Sequence, residues 1–391
     1  GLLIVFYPVW ILGSTFIVPN TSVTILVVMV AISFVSLLVT WLYQNSMLRF
    51  IQDEWKMLLI AEITFLAVFS LWALIRSYDP AINHTEQPMD FAFLTTSIVS
   101  NSFPPQDPWF AGEHVSYYYF GYLIMGGIAH ITGVAPSVAY NLALAFVPAL
   151  TAIGVFGISS NLVRINGGNL KAAVLTGIVS VFLLMGISNL ESALEFLRSS
   201  GFASGHFWEW LSIKGLDGPL TSDKWYPTEP GWWWWRATRV IDTVENGVSL
   251  DYTITEFPFF SFLLGDLHPH VMSIPILLLF SACMLNLFLV PENLSIGWLK
   301  RNQSTLLILS IILGGAGFIN LWDFPTLATL LFITAFAVGY RQKATFRNAL
   351  SNGSMLVFLV VPFSIILYLP FFGGFSSSAA GILPVQSIVT R

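Results

Sequence analysis

Long apolar runs separated by short polar interruptions set the rhythm of this chain. A helix needs roughly 20 mostly apolar residues to cross the hydrocarbon of a bilayer. On that basis spans are predicted over 1–18, 23–43, 57–75, 137–163, 171–189, 304–319, 324–339 and 354–371. A ninth, 257–290, is long and is interrupted by Pro258, Pro269 and Pro275. One further apolar stretch, 117–132, is short, opens on three tyrosines and contains Gly121, Gly126, Gly127 and His130. Two long polar segments, 76–116 and 190–256, break the pattern.

Composition turns these runs into a class. Of 391 residues, 55% are hydrophobic and 9% charged, where a soluble domain carries about a quarter charged residues. The chain cannot cover itself in water, so an all-α polytopic membrane protein is expected. The single cysteine, Cys283, excludes a disulfide scaffold and a cysteine-rich metal site. A net charge of −5 and the lack of a Lys/Arg-rich stretch speak against a nucleic-acid partner. The chain starts at Gly1 directly in an apolar run, as a segment of a longer protein would.

Charge sorting fixes the expected topology. If 117–132 is re-entrant or juxtamembrane rather than spanning, segments 44–56, 164–171, 291–303 and 340–353 share one side. That side then holds Arg49, Lys56, Arg164, Lys171, Lys300, Arg301, Arg341, Lys343 and Arg347 against three acids. Lys and Arg are retained on the cytoplasmic side. The opposite, extracytoplasmic face receives 17 of the 21 carboxylates and all six histidines, and Glu62 alone lies mid-span, where pairing with another span is expected. The predicted organisation is N-terminal membrane helices over 1–56, a module over 57–189 containing loop 76–116 and the juxtamembrane helix 117–132, a Trp-rich loop over 190–256, and C-terminal membrane helices over 257–391.

The two outer loops carry the candidate chemistry. In the first, Pro88 near a helix start, with Phe91, Leu94, Thr95 and Ile98 on one face, predicts a short amphipathic helix lying on the membrane surface. In the second, Trp208, Trp210, Trp225 and the run Trp232 to Trp235 precede Arg236 and Arg239. These indoles form an interfacial belt, or else they stack on a sugar or lipid while the two arginines grip a phosphate.

Three constellations stand out. Asp79, Glu86 and Asp90 follow the end of a span, where carboxylates suit a general base or a cation ligand, or simply cap a helix. Glu256, Asp266, His268 and His270 lie in or beside an apolar segment, where ionisable groups are costly unless paired. Asp266, His268 and His270 are candidate metal ligands, or a network that pins a helix broken at Pro269. Asp323, in Asn320-Leu-Trp-Asp-Phe-Pro325, either caps the following helix or serves a site. No P-loop or Rossmann loop occurs, no nucleophile elbow and no His-Glu-x-x-His, so cytoplasmic ATP chemistry is not expected. Sequons stand at Asn20 and Asn83.

Several segments together resemble one family. They are Met89-Asp-Phe-Ala-Phe-Leu, Phe103-Pro-Pro-Gln-Asp-Pro-Trp-Phe-Ala-Gly112, Tyr117-Tyr-Tyr-Phe-Gly-Tyr122, Glu256-Phe-Pro-Phe-Phe, Gly265-Asp-Leu-His-Pro-His270 and Phe318-Ile-Asn-Leu-Trp-Asp-Phe-Pro325. The family is the "YYY" membrane-protein family of archaea and some bacteria, labelled a domain of unknown function, and the resemblance runs from about 57 to 340. The layout is also similar to the GT-C membrane glycosyltransferases, including the protein-mannosyltransferase and aminoarabinose-transferase branch. There, Asp90 matches the acidic position at the head of a surface helix, Pro104 to Tyr122 the Pro-containing segment, and Arg164 to Lys171 the basic turn. Where that branch has adjacent acids, this chain has Met89-Asp90 with Glu86 four residues earlier. The identity of the base therefore stays open between Asp90 and Glu86, and metal dependence does not carry over.

The resemblance implies inverting transfer of a sugar from a polyprenyl-phosphate donor to a glycan, lipid or protein acceptor at the extracytoplasmic face. Arg76, Arg236 or Arg239 would meet the phosphate. Asp79, Tyr117, Tyr118, Tyr119, Glu256, Asp266, His268, His270 and Asp323 would contact substrate, and a divalent cation remains an option. A transporter or flippase is the alternative, and a non-catalytic scaffold a third.

Overall fold

A computed structural model describes residues 1–216, 223–241, 244–245, 248–249 and 253–376. The expected all-α class holds. Its helices are α1 (Leu2–Ser14), α2 (Ser22–Leu42), α3 (Gln44–Tyr78), α4 (Gln87–Val99), α5 (Phe120–Thr132), α6 (Pro136–Ile165), α7 (Leu170–Phe182), α8 (Glu191–Ser199), α9 (Gly205–Leu211), α10 (Pro258–Leu264), α11 (Pro269–Phe288), α12 (Ile296–Arg301), α13 (Gln303–Ile319), α14 (Asp323–Arg341), α15 (Phe346–Leu367) and α16 (Leu369–Gly374). The described strands are two-residue segments, β1 (Val244–Glu245) and β2 (Val248–Ser249), paired antiparallel.

Among the described residues, seven helices are long and apolar enough to cross a membrane: α2, α3, α6, α7 with its π-helical extension to Ile187, α11, α14 and α15. The predicted spans at 1–18 and 304–319 are the shorter apolar helices α1 and α13. Span 257–290 is not one helix. Gly265 takes a left-handed φ of +76° to end α10, and Pro269 occupies the first turn of α11, where its missing N–H costs nothing. The predicted inner loop 44–56 is instead the first part of α3, because it contains no proline or glycine to stop a helix. Glu62 is exposed on α3 and has no ion pair among the described residues, so the expected partner on another span is not found.

Gly1–Ile178 together with the described residues 266–376 forms one compact unit, and Val179–Gly265 belongs to a second. In the first, α3 and α6 run antiparallel. Arg164 on α6 pairs with Glu54 on α3, and at the far end Arg76 Nε donates to Asn141 Oδ1 at 2.6 Å. Glu54 and Arg76 are separated along α3 by about 33 Å at 1.5 Å per residue, close to the hydrocarbon thickness of about 30 Å. The chain thus leaves α3 and enters α6 at the same end. The helices between, α4 and α5, are 13 residues each, about 20 Å long, too short to cross and return.

α5 is the stretch expected at the membrane surface, but it is enclosed by protein. Phe120 to Gly127 are all buried, and α5 packs on α1, α2, α4, α6, α11 and α13. A Cβ at Gly127 would lie 2.1 Å from the Phe6 ring, so glycine is required for that approach. Beneath α5 lies an aromatic cluster. Phe120 stacks on Phe318 at 4.8 Å, Trp10 stacks on Tyr368 at 5.4 Å, and Trp10 Nε1 donates to the Tyr119 hydroxyl at 3.0 Å. This rigid floor holds α5 in place.

α4 is also packed differently from expectation. Its buried residues are Gln87, Asp90, Phe93, Leu94, Thr96 and Ser97, not a stripe of Phe91, Leu94, Thr95 and Ile98. Burial in protein, where polar groups find partners, replaces the bilayer as the surface this helix meets. Asn20, at one of the sequons, is buried and donates to the carbonyls of Ser97 and Ser100, which ties down the end of α4.

The second unit has its own small core, where Ala237, Phe257 and Phe260 meet Trp234, Trp235, Phe259 and Leu264. Half of the tryptophan run is therefore packing.

Candidate functional site

The α4 N-terminus and the turn before α11 meet at Asp90. Asp90 lies in the first turn of α4 and is fully buried. It caps nothing. Its Oδ1 accepts a 2.6 Å hydrogen bond from the Tyr122 hydroxyl on α5, while its Oδ2 is buried without a hydrogen-bond partner. Burial pushes its pKa up to about 7, the charges of Asp266 and Glu86 push the same way, and the Tyr122 hydrogen bond offsets part of the shift. A carboxyl poised near neutrality can take or give a proton at physiological pH.

His268, at the N-cap of α11, stands between three carboxylates. Its Nε2 is 3.2 Å from Glu86 Oε2 and 4.0 Å from Asp266 Oδ2, and its Nδ1 is 4.0 Å from Asp90 Oδ1. Glu86 is the N-cap residue of α4 and exposed, so it joins this site to solvent. His270 is exposed, and its ring lies 5.1 Å from that of His268.

Asp266 holds the loop before α4. It accepts from the Thr85 hydroxyl at 2.5 Å and from the Glu86 N–H. Burial raises its pKa as well. Thr85 has a φ of +52°, an uncommon conformation for a β-branched residue, and this hydrogen bond fixes it there. The next amide on that turn, Leu267 N–H, donates to the Tyr140 hydroxyl of α6 at 3.3 Å.

The other expected residues divide into two groups. Arg76, with Nε on Asn141, also donates from Nη2 to the Ala81 carbonyl at 2.8 Å, so it braces the α3–α4 loop. Asp79 is exposed, 3.6 Å from His84. Tyr117 is half-buried and stacks on Phe93 at 5.1 Å; burial, with Asp90 and Glu86 nearby, pushes its hydroxyl up to about 12. Tyr118 is half-buried and stacks on Phe375. These four lie in the same unit as Asp90. Tyr119 does not serve as expected, because it is buried in the aromatic cluster with its hydroxyl taken by Trp10. Asp323 is the first residue of α14 and does not cap it; its Oδ2 accepts from Asn320 Nδ2 at 3.0 Å, which closes the α13–α14 turn.

Arg236, Arg239 and Glu256 belong to the second unit. Arg236 pairs with the buried Glu195 at 2.8 Å and donates to the Gly215 carbonyl. The Arg239 guanidinium lies 3.7 Å over the Trp235 ring, a cation–π contact. Glu256 accepts from the Ser261 hydroxyl at 2.8 Å at the start of α10. Beside Glu195, Glu191 is buried, and burial with its neighbour's charge raises its pKa to about 8.

Among the described residues, no group of three or more His, Cys, Asp or Glu side chains is arranged to hold a metal ion. The candidate set Asp266, His268 and His270 does not converge, because Asp266 is engaged with the Thr85–Glu86 turn and His268 faces Glu86 and Asp90. Sequence reasoning passed over Tyr122 and Thr85. Tyr122 stands in the motif Tyr117-Tyr-Tyr-Phe-Gly-Tyr122, and its place as a polar residue in a buried helix was the available signal.

A family model described as "Uncharacterized membrane protein (DUF2298)" matches residues 4–390. No curated protein and no solved structure matches the chain.

Proposed function

The chain belongs to that family of membrane proteins, and within it we propose a membrane glycosyltransferase that moves a sugar from a polyprenyl-phosphate donor to an acceptor hydroxyl at the extracytoplasmic face. The observation that carries this reading is the buried Asp90, with a pKa of about 7, an unpartnered Oδ2, and His268 and Glu86 beside it. An unpartnered, buried carboxylate oxygen is a natural acceptor for the hydroxyl of a bound substrate. Asp90 is the base: it takes the proton as the acceptor oxygen attacks the anomeric carbon, and the sugar–phosphate bond breaks with inversion. Glu86, the second candidate, is exposed and engaged by His268, which suits it less to that role. Tyr117 supplies an aromatic face for a sugar ring. Arg76, at the end of α3, is the cation best placed in this unit to meet the donor phosphate.

Transfer is tested with the full chain in lipid nanodiscs, using labelled polyprenyl-phosphate sugars and a membrane extract as acceptor. Label leaving the lipid in the wild type and staying there in Asp90→Asn is the expected result. Near-normal turnover by Asp90→Asn removes Asp90 from the mechanism.

One observation favours a transporter or flippase as the second reading: α11 begins at a break in the chain with an ionisable residue at its N-cap. Solute or lipid movement across proteoliposomes in the absence of sugar transfer would decide for it.

A further inference from the structure

Among the described residues, Glu62 is the one carboxylate or cation in the middle of a candidate span. Along α3 it stands about 12 Å from Glu54 and about 21 Å from Arg76, at 1.5 Å per residue, so neither polar end of the helix is within its reach. A carboxyl group at such depth is costly, and it normally faces protein or water rather than lipid. Glu62 is nevertheless exposed, with no partner among the described residues. Every other candidate span keeps its charged residues, where it has any, in its first or last turn. None of them carries a cation at this depth.

The face that presents Glu62 is continuous. Leu59, Glu62, Ile63, Leu66, Ser70 and Leu74 recur at spacings of three and four, which puts them on one side of α3, and all six are exposed. Away from this row, Phe65 meets Phe146 of α6 edge-on at 5.9 Å, so α6 covers a different side of the helix. We infer that the Glu62 face of α3 is where a second copy of the chain packs, with the two Glu62 carboxyls bonded to each other across a two-fold axis along the bilayer normal. The residues themselves point to that occupant. A copy inserted in the same sense presents its own Glu62 at the same depth, because a two-fold interface brings the same patch from both chains together. A carboxylic acid donates through its O–H and accepts through its carbonyl oxygen, so the pair satisfies itself without a cation. Ser70, two turns along the same row, is small enough to let the helices approach closely.

The test counts copies. The full chain carrying one fluorescent tag is expressed at low density, and bleaching steps are counted in vesicles made directly from the cell membranes. The wild type is expected to bleach in two steps and Glu62→Leu in one. Glu62→Gln should stay at two, because its amide also donates and accepts. One-step bleaching of the wild type, or two-step bleaching of Glu62→Leu, overturns the inference. Cysteine cross-linking in a Cys283→Ala background locates the contact. Leu66→Cys, one turn from Glu62, should give a disulfide-linked dimer on oxidation, and Leu38→Cys on α2 should not, although both positions are exposed. If Glu62→Leu does not fold, this cross-link carries the test alone. No dimer through Leu66→Cys, or equal yields at the two positions, overturns the interface. A cross-linked product whose mass is not that of two copies names another protein as the occupant and overturns it as well.

Discussion

The Tyr122 hydroxyl donates to Asp90 Oδ1 at 2.6 Å, and both side chains are buried. This hydrogen bond favours the charged carboxylate against the burial that opposes it. Tyr122→Phe keeps the ring and removes the donor. A hydrogen bond to a charged group is worth about 1.5–3 kcal/mol, and one pKa unit about 1.4 kcal/mol. Asp90 in Tyr122→Phe is therefore expected to titrate about one to two units above its present value near 7. A carboxyl titration by infrared spectroscopy checks this, and an unmoved or lowered value contradicts it.

The same burial makes stability depend on pH. The Asp90 pKa rises from 3.8 to about 7 on folding, so the folded state holds this proton more tightly than the unfolded state. The resulting stabilisation is fully present below pH of about 4 and is lost as pH rises through about 7. Asp266, also raised by burial, acts in the same direction. Glu191, raised to about 8 by burial and its neighbour's charge, adds to the same slope, and Asp90→Asn removes the part that Asp90 contributes. Melting temperatures measured from pH 5 to 8 should fall more steeply for the wild type than for the variant, and parallel curves would show that Asp90 does not titrate in this range.

The spans and the start of α4 are legible in the sequence because length, apolarity and Pro88 act locally. The assembly of the site is not. Thr85 and Asp266 are 181 residues apart in the chain and meet only because α4, α6 and α11 pack at one end of the bundle. The family resemblance singled out Asp90 but could not say that Tyr122 holds it. The packed face of α4 departs from the predicted stripe for a physical reason: an apolar stripe is the rule only where the helix meets lipid or an apolar core. Here Gln87, Asp90 and Ser97 are inside. The tryptophan run is the opposite case, since Trp234 and Trp235 pack on a small core that their sequence alone does not announce.

Thr85 offers a test of the loop that delivers Glu86 to His268. Thr85→Val keeps the side-chain shape and the strained φ of +52° but leaves the buried Asp266 oxygen without its donor. A loss of about 1–3 kcal/mol is expected. Thr85→Gly loses the same donor but is at ease at positive φ, so its loss should be smaller. Denaturation in mixed micelles and hydrogen exchange at Glu86 compare the two. If glycine costs as much as valine, backbone strain is irrelevant at Thr85.

Orientation in the membrane is the prediction on which the extracytoplasmic assignment stands. The Glu54–Arg164 pair and the Arg76–Asn141 pair mark opposite ends of α3 and α6. Arg341 Nη2 donates to the Val290 carbonyl at 2.6 Å, which joins the two other Lys/Arg-bearing turns to each other. If Lys and Arg are retained in the cytoplasm, Asp90, Glu86 and His268 are expected outside. Cys283 is replaced by alanine, and a single cysteine is introduced at Glu113 or at Asn166, both exposed. A membrane-impermeant maleimide added to intact cells should label Glu113→Cys and leave Asn166→Cys unlabelled until the cells are permeabilised. The opposite pattern would turn the site toward the cytoplasm, where an extracytoplasmic acceptor cannot reach it. Labelling of both positions from outside would mean that α3 and α6 do not cross the bilayer between these two ends.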